Sequence, residues 1–493
     1  MAAGGGLPTL AAMNSQIPCI QDHTQEAANT ASLLCSDDIA ELLRKYDRSG
    51  PRYTSYPPAT QFRATGAGDY LDALMQARPE DPVSVYIHIP FCRSPCYYCG
   101  CNKIVTRNRD SVRQYLDHLH KEMALLRLQS ATYKRPVTQL HLGGGTPTFL
   151  DYAELTELVH YTSQYFNLVR SESRDYSIEI DPRTVDRARI ELIRGLGFNR
   201  LSLGIQDFDP AVQAAINRVQ SVEQIRDLVG HIRTRDFSSL NFDLIYGLPL
   251  QTLESIQHTL AHVIALSPDR ISYYNYAHLP DRFPAQKAIR TEDLPAPASK
   301  LQMLTLIIET LTAAGYRHIG MDHFVMADDS LARAQDEGRL CRNFQGYSIS
   351  KAQDLIGLGV SSISNVGDVF AQNAVQLENY YRALDANQLP IERGVVSTDE
   401  DLLRRDIIQQ LSCYRALDIA KLESQYQLQF TEHFKDALPA LRQFEQDGLL
   451  ERDGWQRLQV SDRGSLLLRN ICMVFDAYLQ NTGVVKSVFS RAI

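Results

Sequence analysis

Long apolar runs are missing from this sequence. The stretch LTLIIETLTAAGY is interrupted by Glu309, and the other apolar stretches are likewise cut short by polar or charged residues. A helix that spans a bilayer needs about 20 mostly apolar residues, so we expect no membrane span. The first Lys or Arg is Arg44, which leaves neither the charged start of a secretion signal nor an arginine-rich transit peptide. We therefore expect a cytoplasmic protein.

Blocks of positive charge are also missing. Lys and Arg number 50 against 58 Asp and Glu, which gives a net charge of −8, and no run of five or six basic residues occurs. Binding to nucleic acid phosphates requires a clustered positive field. The sequence therefore excludes nucleic acid as an expected partner.

Cysteine is scarce and unevenly distributed. The chain has nine cysteines in 493 residues, and four of them lie between Cys92 and Cys101. An odd number concentrated in this way does not indicate the disulfide framework of a secreted protein. A reduced compartment and a metal site fit better. Cys19 and Cys35, near the N-terminus, are expected to be thiols without a role.

The order of apolar patterns predicts an α/β fold. Residues 1–36 are expected to be a flexible extension and residues 37–82 an N-terminal arm. From residue 83 to 325, apolar strand-like runs alternate with amphipathic helical segments such as 111–128 and 152–166. The six runs are VSVYIHI, QLHLGG, SIEID, RLSLGIQ, NFDLIYG and RISYYNY. Six strand–helix units in series predict a parallel sheet in a partial (β/α)6 barrel.

The alternation ends near residue 325. Residues 326–379 are expected to be a loop region that closes the barrel, and residues 380–493 a smaller, mostly helical C-terminal domain. Within that domain, ALPALRQFEQDGLLERDGWQRLQV predicts a helix followed by a short hairpin, an outline typical of winged helices. Because no basic recognition helix accompanies it, we interpret this outline as a packing module.

Cys92, Cys96 and Cys99 have the spacing C-x3-C-x2-C on a loop that follows the first strand. Three thiolates so close can each hold one iron of a cubane cluster and leave the fourth iron open. A zinc site would need a second ligand pair farther along the chain, and none appears. Cys101 is either a fourth ligand, if Gly100 kinks the chain, or a neighbour that packs beside the cluster.

Polar residues recur near the ends of successive predicted strands. The triplet at Gly143–Gly145 lets a ligand approach the backbone, although such triplets also occur in simple tight turns. Glu179 lies at the end of the third strand, where a buried carboxylate is costly unless it binds a ligand or pairs with a covering helix. Gln206 and Asp243, on the next two strands, are either ligand contacts or satisfied core groups.

The cysteine spacing followed by GGGTPT resembles the radical S-adenosylmethionine superfamily, and further motifs resemble the oxygen-independent coproporphyrinogen III oxidases within it. This resemblance covers residue 40 to the C-terminus. The motifs are SGPRYTSYP (49–57), YIHIPFC (86–92), YCGCNKIVTR (98–107), HLGGGTPT (141–148), SIEIDPR (177–183), NFDLIYGLP (241–249), GMDHF (320–324) and RNFQGY (342–347).

The resemblance implies a function in haem biosynthesis. Two propionates of coproporphyrinogen III would be decarboxylated to vinyls, giving protoporphyrinogen IX. A 5′-deoxyadenosyl radical from S-adenosylmethionine would take a hydrogen from each propionate β-carbon, carbon dioxide would leave, and an outside acceptor would take one electron. An electron donor would serve the cluster. We also expect a monomer.

The resemblance also implies site residues. Cys92, Cys96 and Cys99 would hold one [4Fe-4S] cluster, and no residue is assigned as an acid or base catalyst. Two S-adenosylmethionine molecules are expected, the second contacting Gly145, Thr146, Gln206, Arg218, Asp243 and Ala277. The remaining cofactor contacts are Tyr86, Tyr98, Gly144, Glu179 and Ile363. Tyr98 stands where family members commonly have Phe, and either ring offers a face for stacking.

The substrate's four carboxylates predict a cationic lining despite the net negative charge. Arg52, Lys103 and Arg342 are the candidates, unless they form ordinary surface pairs. A haem chaperone of the same superfamily is the alternative function. Cys101, which chaperone-like relatives usually lack, and the PRYTSYP motif argue against it. A radical methyltransferase or another superfamily enzyme is a third alternative.

Overall fold

A computed structural model describes residues 41–480, except Leu43, Ser173 and residues 350–353. The predicted extension over residues 1–36, with Cys19 and Cys35, lies outside the described residues, as do the first residues of the predicted arm. Among the helices that are described, none combines the length and apolar character needed to cross a bilayer.

The strands are labelled in chain order. They are β1 (Arg63–Ala64), β2 (Val83–Ile89), β3 (Phe91–Cys92), β4 (Ile104–Val105), β5 (Pro136–Gly144), β6 (Asn167–Leu168), β7 (Asp175–Ile180), β8 (Arg200–Gln206), β9 (Ser239–Tyr246), β10 (Arg270–Asn275), β11 (Tyr316–Gly320), β12 (His323–Met326), β13 (Cys341–Asn343), β14 (Gly346–Ser348), β15 (Asp354–Leu358), β16 (Ile363–Val366), β17 (Val369–Asn373), β18 (Ile391–Val396), β19 (Ala416–Asp418), β20 (Leu450–Asp453) and β21 (Arg457–Val460).

The α-helices are labelled in the same way. They are α1 (Gly68–Gln76), α2 (Arg109–Gln129), α3 (Tyr152–Tyr165), α4 (Arg187–Gly195), α5 (Pro210–Ala215), α6 (Val222–Arg233), α7 (Leu253–Leu266), α8 (Pro297–Ala313), α9 (Ser330–Asp336), α10 (Leu377–Asp385), α11 (Asp399–Tyr414), α12 (Ile419–Tyr426), α13 (Phe430–His433), α14 (Leu438–Gln446), α15 (Asp462–Ser465), α16 (Leu468–Met473) and α17 (Ala477–Gln480).

The centre of the molecule is a parallel arc of β2, β5, β7, β8, β9 and β10, which neighbour one another in that order. Each of these strands is followed by at least one helix, so the predicted partial (β/α)6 barrel is confirmed. The arc does not close within the described part of the chain, because antiparallel strands continue it beyond β10. In parallel strands the carboxyl ends share one side, which here forms the barrel mouth.

Local sequence explains why these elements form. In β2 most side chains are buried, as expected for a strand covered on both faces. Helix α2 starts at Asn108, whose side chain accepts a hydrogen bond from the N–H of Asp110. Helix α3 starts with a capping box in which Asp151 and Glu154 each bind the other's backbone N–H. These caps satisfy N–H groups that the first turn of a helix leaves free.

The predicted loop region over residues 326–379 is wrong in part. Strand β15 pairs in parallel with β2, and β16, β17 and β18 continue the sheet as antiparallel neighbours. Arg135, only 2% exposed, holds the start of β15 through an ion pair of 2.7 Å with Asp354. The expected boundary at residue 380 is also too early, because β18 belongs to the main sheet.

The last part of the chain packs onto the same core. The predicted helix and short hairpin are present as α14, β20 and β21, and β19 adds a third strand beside β21. A single hydrophobic cluster runs from Leu42 through the barrel to Phe475. The barrel and the C-terminal part therefore share buried apolar surface rather than forming two separate cores.

Candidate active site

The cysteine loop begins at the carboxyl end of β2 and is closed at its base. Strands β3 and β4 pair in parallel with Cys92 opposite Val105, and the N–H of Ile104 donates to the carbonyl of Pro90 at 2.6 Å. Within this loop Cys92 and Cys96 are buried, Cys99 is half-buried and Cys101 is exposed. The pairing holds a long irregular loop at the barrel mouth.

Each of the three predicted cluster ligands lies beside a different donor. The Cys92 sulfur is 3.4 Å from Thr146 Oγ1. The Cys96 sulfur is 3.5 Å from Arg218 Nη1 and 3.7 Å from Arg183 Nη2. The Cys99 sulfur accepts the backbone N–H of Cys101 at 3.4 Å. Such donors stabilise sulfur in its thiolate form, which is the form that binds metal.

The thiols differ in how readily they lose a proton. A hydrogen bond with the Cys101 side chain lowers the pKa of Cys99 to about 6, assisted by Lys103 and opposed by burial. Burial raises the pKa of Cys92 to about 11. Among the described residues, no three His, Cys, Asp or Glu side chains lie close enough together to hold a single metal ion. Soft thiolates spread over one loop instead suit an iron–sulfur cluster, in which each thiolate binds a different iron.

Two glycines of the triplet, Gly144 and Gly145, are required by close packing. A Cβ on Gly144, whose φ is +114°, would lie 2.6 Å from the His88 ring. A Cβ on Gly145 would lie 2.7 Å from the backbone carbonyl of Pro90. The N–H of Gly145 donates to the carbonyl of Ile89 at 2.8 Å. This contact brings the next residue, Thr146, to the sulfur of Cys92.

Glu179 projects into the barrel mouth from the end of β7. Its side chain is 42% exposed, and one oxygen lies 3.3 Å from His141 Nε2. The other oxygen accepts the backbone N–H of Gly144 at 3.2 Å. Tyr86 stacks on His141, with ring centroids 5.8 Å apart. No ion pair between Glu179 and a covering helix occurs in the described structure, so that alternative for this carboxylate is wrong.

Gln206, at the end of β8, and Arg218, which follows α5, lie at the part of the mouth beyond β7. Gln206 ends β8 with a φ of +70°, a left-handed conformation that is uncommon outside glycine and concentrates at functional sites. Arg218 donates to the carbonyl of Gly204 and lies 3.3 Å from Asp181. Burial opposes ionisation of Asp181, yet Arg218 and Arg183 together hold its pKa below the usual range.

The remaining predicted contacts on strands are Asp243 on β9 and Ile363 on β16. Asp243 accepts hydrogen bonds from Ser202 at 2.6 Å and from Asn241 at 3.0 Å. Burial raises the pKa of Asp243 to about 6. Ile363 passes over Gly357, which pairs with Tyr86 in the neighbouring strand. The predicted contacts on β2, β5, β7, β8, β9 and β16 therefore surround one mouth.

Sequence reasoning missed two groups that hold the site together. Arg183 binds Asp181 at 2.7 Å and also reaches Cys96. Its signal is the DPR sequence after β7, where Asp181 caps the turn Pro182–Thr184. Gln286 donates to the carbonyls of Tyr98 and Ala277, at 2.9 and 3.1 Å. No local pattern signals Gln286, because Tyr98 lies 188 positions earlier and Ala277 lies in the irregular segment after β10.

The three predicted cations occupy different places. Arg52 donates to the carbonyl of Asn275, at the end of β10, at 2.6 Å. Lys103 donates to the carbonyl of Cys99 at 3.0 Å. Arg342 is only 4% exposed and donates to backbone carbonyls of the arm. The expectation that Arg342 lines the substrate site is therefore wrong, because its guanidinium is buried behind the arm.

Comparisons with known proteins cover nearly the whole chain. Residues 86–263 match the radical SAM superfamily, and residues 397–467 match the HemN C-terminal domain. An oxygen-independent coproporphyrinogen III oxidase of Pseudomonas aeruginosa is 48% identical over 92% of this chain and 98% of its own length. The chain belongs to the family of oxygen-independent coproporphyrinogen III oxidases. The Escherichia coli member is 46% identical over the same shares of the two chains.

A solved structure of this family has the same fold. It is described as coproporphyrinogen III oxidase (HemN) from Escherichia coli, a radical SAM enzyme, and it superposes with a TM-score of 0.83. The superposition covers 87% of this chain and 97% of the other. The family resemblance predicted from the motifs is thereby confirmed, for the barrel and for the C-terminal part alike.

Proposed function

We propose that this protein converts coproporphyrinogen III to protoporphyrinogen IX in haem biosynthesis, without oxygen. Two propionates would each lose a β-hydrogen atom, carbon dioxide and one electron, and each would become a vinyl group. The observation that carries the proposal is the meeting of three cysteine thiols and the Glu179 carboxylate at one barrel mouth. This arrangement occurs in a chain that resembles the named oxidases over 92% of its length.

Cys92, Cys96 and Cys99 would hold a [4Fe-4S] cluster, and Cys101 would remain outside it. When bound, the cluster and S-adenosylmethionine would supply an electron and a carbon radical that removes hydrogen from an unactivated C–H bond. Arg183 and Arg218 place two guanidinium groups within 3.7 Å of the Cys96 sulfur. Their positive charge stabilises a thiolate there, since opposite charges in a poorly solvated site attract strongly.

Two S-adenosylmethionine molecules would fit the spread of polar groups around the mouth. Tyr86, Tyr98, Gly144, Glu179 and Ile363 would bind the first molecule. The second would contact Gly145, Thr146, Gln206, Arg218, Asp243 and Ala277. Glu179 and Asp243 supply carboxylate acceptors on two separate strands, which suits two ligands with several hydrogen-bond donors each.

The substrate would enter with its carboxylates toward the cations of the mouth. Arg52 uses one nitrogen to bind Asn275, and its other donors would remain for a propionate. A guanidinium matches a carboxylate with two parallel hydrogen bonds. Lys103, beside the cysteine loop, would provide a second positive charge. An external donor would reduce the cluster, and an external acceptor would take the electron released with each carbon dioxide.

The test is anaerobic turnover. Protein reconstituted with iron and sulfide is mixed with S-adenosylmethionine, a reductant, an electron acceptor and coproporphyrinogen III. The expected products are protoporphyrinogen IX and 5′-deoxyadenosine, and Cys92→Ser is the inactive control. Haem binding without product would favour the haem chaperone, and a methylated product detected by mass spectrometry would favour another superfamily enzyme.

The proposal includes a cytoplasmic monomer. Light scattering coupled to size-exclusion chromatography should give a mass near 55.6 kDa. Fractionation of cells should place the chain with the soluble contents. A mass of twice this value would contradict the monomer and leave the proposed reaction unaffected.

A further inference from the structure

The segment at residues 46–57, which we call the arm segment, is fixed by residues that come much later in the chain. Polar and charged side chains donate to its backbone carbonyls from widely separated residues. These contacts join Asn470 to Tyr46 at 2.7 Å, Arg469 to Gly50 and Pro51, Arg342 to Arg52 at 2.6 Å and to Tyr53 at 2.9 Å, and Arg405 to Tyr56 at 2.8 Å.

Arg342 makes the most unusual of these contacts. One nitrogen donates to two consecutive carbonyls, while its buried Nε has no hydrogen-bond partner. No carboxylate lies within ion-pair distance of Arg342 in the described residues. Burying a cation without a counter-ion is costly. A neutral donor would satisfy a carbonyl at lower cost, so the arginine adds a positive local field to the contacts that fix the arm segment.

A second buried arginine acts on the same stretch of backbone. Arg469 donates to the carbonyl of Pro51 at 2.9 Å. Burial, and then the nearby charge of Arg52, lowers the pKa of Arg469 to about 10, and the Asp322 carboxylate opposes this shift. Arg52, Arg342 and Arg469 therefore gather around residues 50–53 although their like charges repel. One member of this group faces the barrel mouth.

Arg52 is that member. Its guanidinium reaches the carbonyl of Asn275, the last residue of β10, at 2.6 Å. Lys300 donates to the side-chain oxygen of the same Asn275 at 3.2 Å. The backbone of Arg52 is thus fixed from behind by Arg342, while its side chain extends over the carboxyl end of the barrel.

We propose that Arg342 is a positioning residue that orients Arg52 to bind a carboxylate of the tetracarboxylate substrate. Arg469 supports the same stretch, so the C-terminal half of the chain determines substrate affinity without contacting the substrate. This inference rests on the proposed function, because it assumes that coproporphyrinogen III binds at the barrel mouth.

The experiment is a double-mutant cycle on the reconstituted full-length protein. Arg52→Gln, Arg342→Gln and the double variant are compared by anaerobic equilibrium dialysis with coproporphyrinogen III and by steady-state kinetics. Arg52→Gln should raise the Kd and KM for the substrate about tenfold or more, because a charge-assisted hydrogen bond is lost. Arg342→Gln should raise them similarly with kcat largely retained. The double variant should add nothing further, because Arg342 acts through Arg52.

Arg405→Gln is the matched control. It removes a comparable guanidinium–carbonyl contact from the same segment, but at Tyr56. The tyrosine hydroxyls of the segment remain anchored, Tyr53 to Asp476 at 2.9 Å and Tyr56 to the N–H of Ala477 at 3.1 Å. This variant should keep the wild-type Kd. Arg342→Lys, which retains a cation and a donor, should recover part of the affinity.

Three results would overturn the inference. The first is an additive loss of affinity in the double variant, and the second is an equal loss in Arg405→Gln. The third is an unchanged Kd in a folded Arg342→Gln protein with normal iron content and S-adenosylmethionine cleavage. A wild-type protein that neither binds nor converts coproporphyrinogen III would instead reject the proposed function, so the two failures are distinguishable.

Discussion

At the scale of single residues, the four clustered cysteines are not equivalent. Cys92 and Cys96 are buried and Cys99 is half-buried, each with a donor near its sulfur, whereas Cys101 is exposed. The contact from residue 101 to the Cys99 sulfur includes a backbone N–H, which any residue at that position would provide. The surroundings of the Cys92, Cys96 and Cys99 sulfurs therefore differ from those of the Cys101 sulfur.

Cys101→Ser should retain most of the iron, because serine keeps the backbone N–H that reaches Cys99. Cys92→Ser, Cys96→Ser or Cys99→Ser should abolish the cluster, since each would remove one of its thiolates. Iron and acid-labile sulfide per chain, measured after anaerobic reconstitution, check this expectation. Equal loss of iron in all four variants would contradict the division.

Gly145→Ala should destabilise the protein and reduce its iron content. The new methyl group would lie 2.7 Å from the backbone of Pro90 and 2.9 Å from the carbonyl of Phe91, so the base of the cysteine loop must move. Overpacking of this kind costs about 1–3 kcal/mol. The unfolding free energy of the apoprotein and the iron content after reconstitution measure the two effects.

Gly230→Ala provides the control for that substitution. Gly230 lies inside α6, and an added Cβ would meet nothing within 4 Å. Alanine in a helix interior should therefore stabilise the protein by roughly 0.5–1 kcal/mol and leave iron content unchanged. A loss of iron in this variant as large as that in Gly145→Ala would show that the loss is not specific to the cysteine loop.

At the scale of elements, one buried carboxylate joins the helix after the cysteine loop to the late strands. Glu122 in α2 is 3% exposed. It accepts hydrogen bonds from the N–H of Gly359 at 2.8 Å, from Asn373 at 2.6 Å and from the hydroxyl of Tyr380 at 2.6 Å. The turn held by Gly359 leads into β16, where Ile363 lies. Glu122 therefore fixes the position of that predicted cofactor contact.

Glu122 should make folding stability pH-dependent. Burial raises its pKa from 4.5 to about 7, so the folded protein binds more protons than the unfolded chain between these values. Stability should therefore fall as pH rises from about 4.5 to about 7, by about 3 kcal/mol from this group. Urea unfolding across this range should show a flatter pH dependence in Glu122→Gln than in the wild type.

Tyr380→Phe tests the same carboxylate by removing one of its hydrogen-bond donors. The tyrosine hydroxyl favours the ionised form of Glu122 and so lowers its pKa. Its removal should raise that pKa, and the fall in stability should extend to higher pH. An unchanged pH dependence in both variants would mean that Glu122 does not titrate in this range.

The sequence was sufficient for the six strand–helix units but not for β15–β18. The barrel strands are apolar runs of six to nine residues, separated by helices of clear period such as α2 and α3. Strand β15 is only five residues long and includes Gly357, and its burial depends on β2, more than 250 positions earlier. The dipeptide Gly367–Asp368 between β16 and β17 was a usable hairpin signal.

The candidate site likewise contains features that the sequence could predict and features that it could not. Cysteine spacing and the polar residues at strand ends are local features, so the sequence could predict that Cys92, Glu179 and Asp243 lie at the barrel mouth. The prediction of Arg342 as a substrate contact rests on the four carboxylates of the substrate, which require cations near the barrel mouth. The burial of Arg342 behind the arm segment follows from tertiary packing that no local pattern encodes.

At the scale of the whole molecule, the shared core predicts cooperative unfolding. The single tryptophan of the chain, Trp455, lies in the turn between β20 and β21 and packs near Phe430. Its fluorescence reports on the C-terminal part, whereas far-UV circular dichroism is dominated by the barrel. Because one hydrophobic cluster includes both, the two signals should give the same urea midpoint in the apoprotein.

Selective excitation of Trp455, at wavelengths where tyrosine does not absorb, makes this comparison feasible. Coincident midpoints are expected for wild-type protein and for Arg405→Gln. Two separated transitions, with the fluorescence change occurring first, would contradict a shared core and indicate a C-terminal part that unfolds independently.

The way the arm segment is held has a consequence for the order of events during synthesis. Residues 46–57 precede the barrel in the chain, whereas most of the groups that hold them lie between Arg342 and Ala477. The barrel strands from β2 to β10 are complete before those partners exist, and domains fold as the chain emerges. The barrel strands are therefore expected to pair before the arm segment is fixed, because that step has to wait until the C-terminal residues dock.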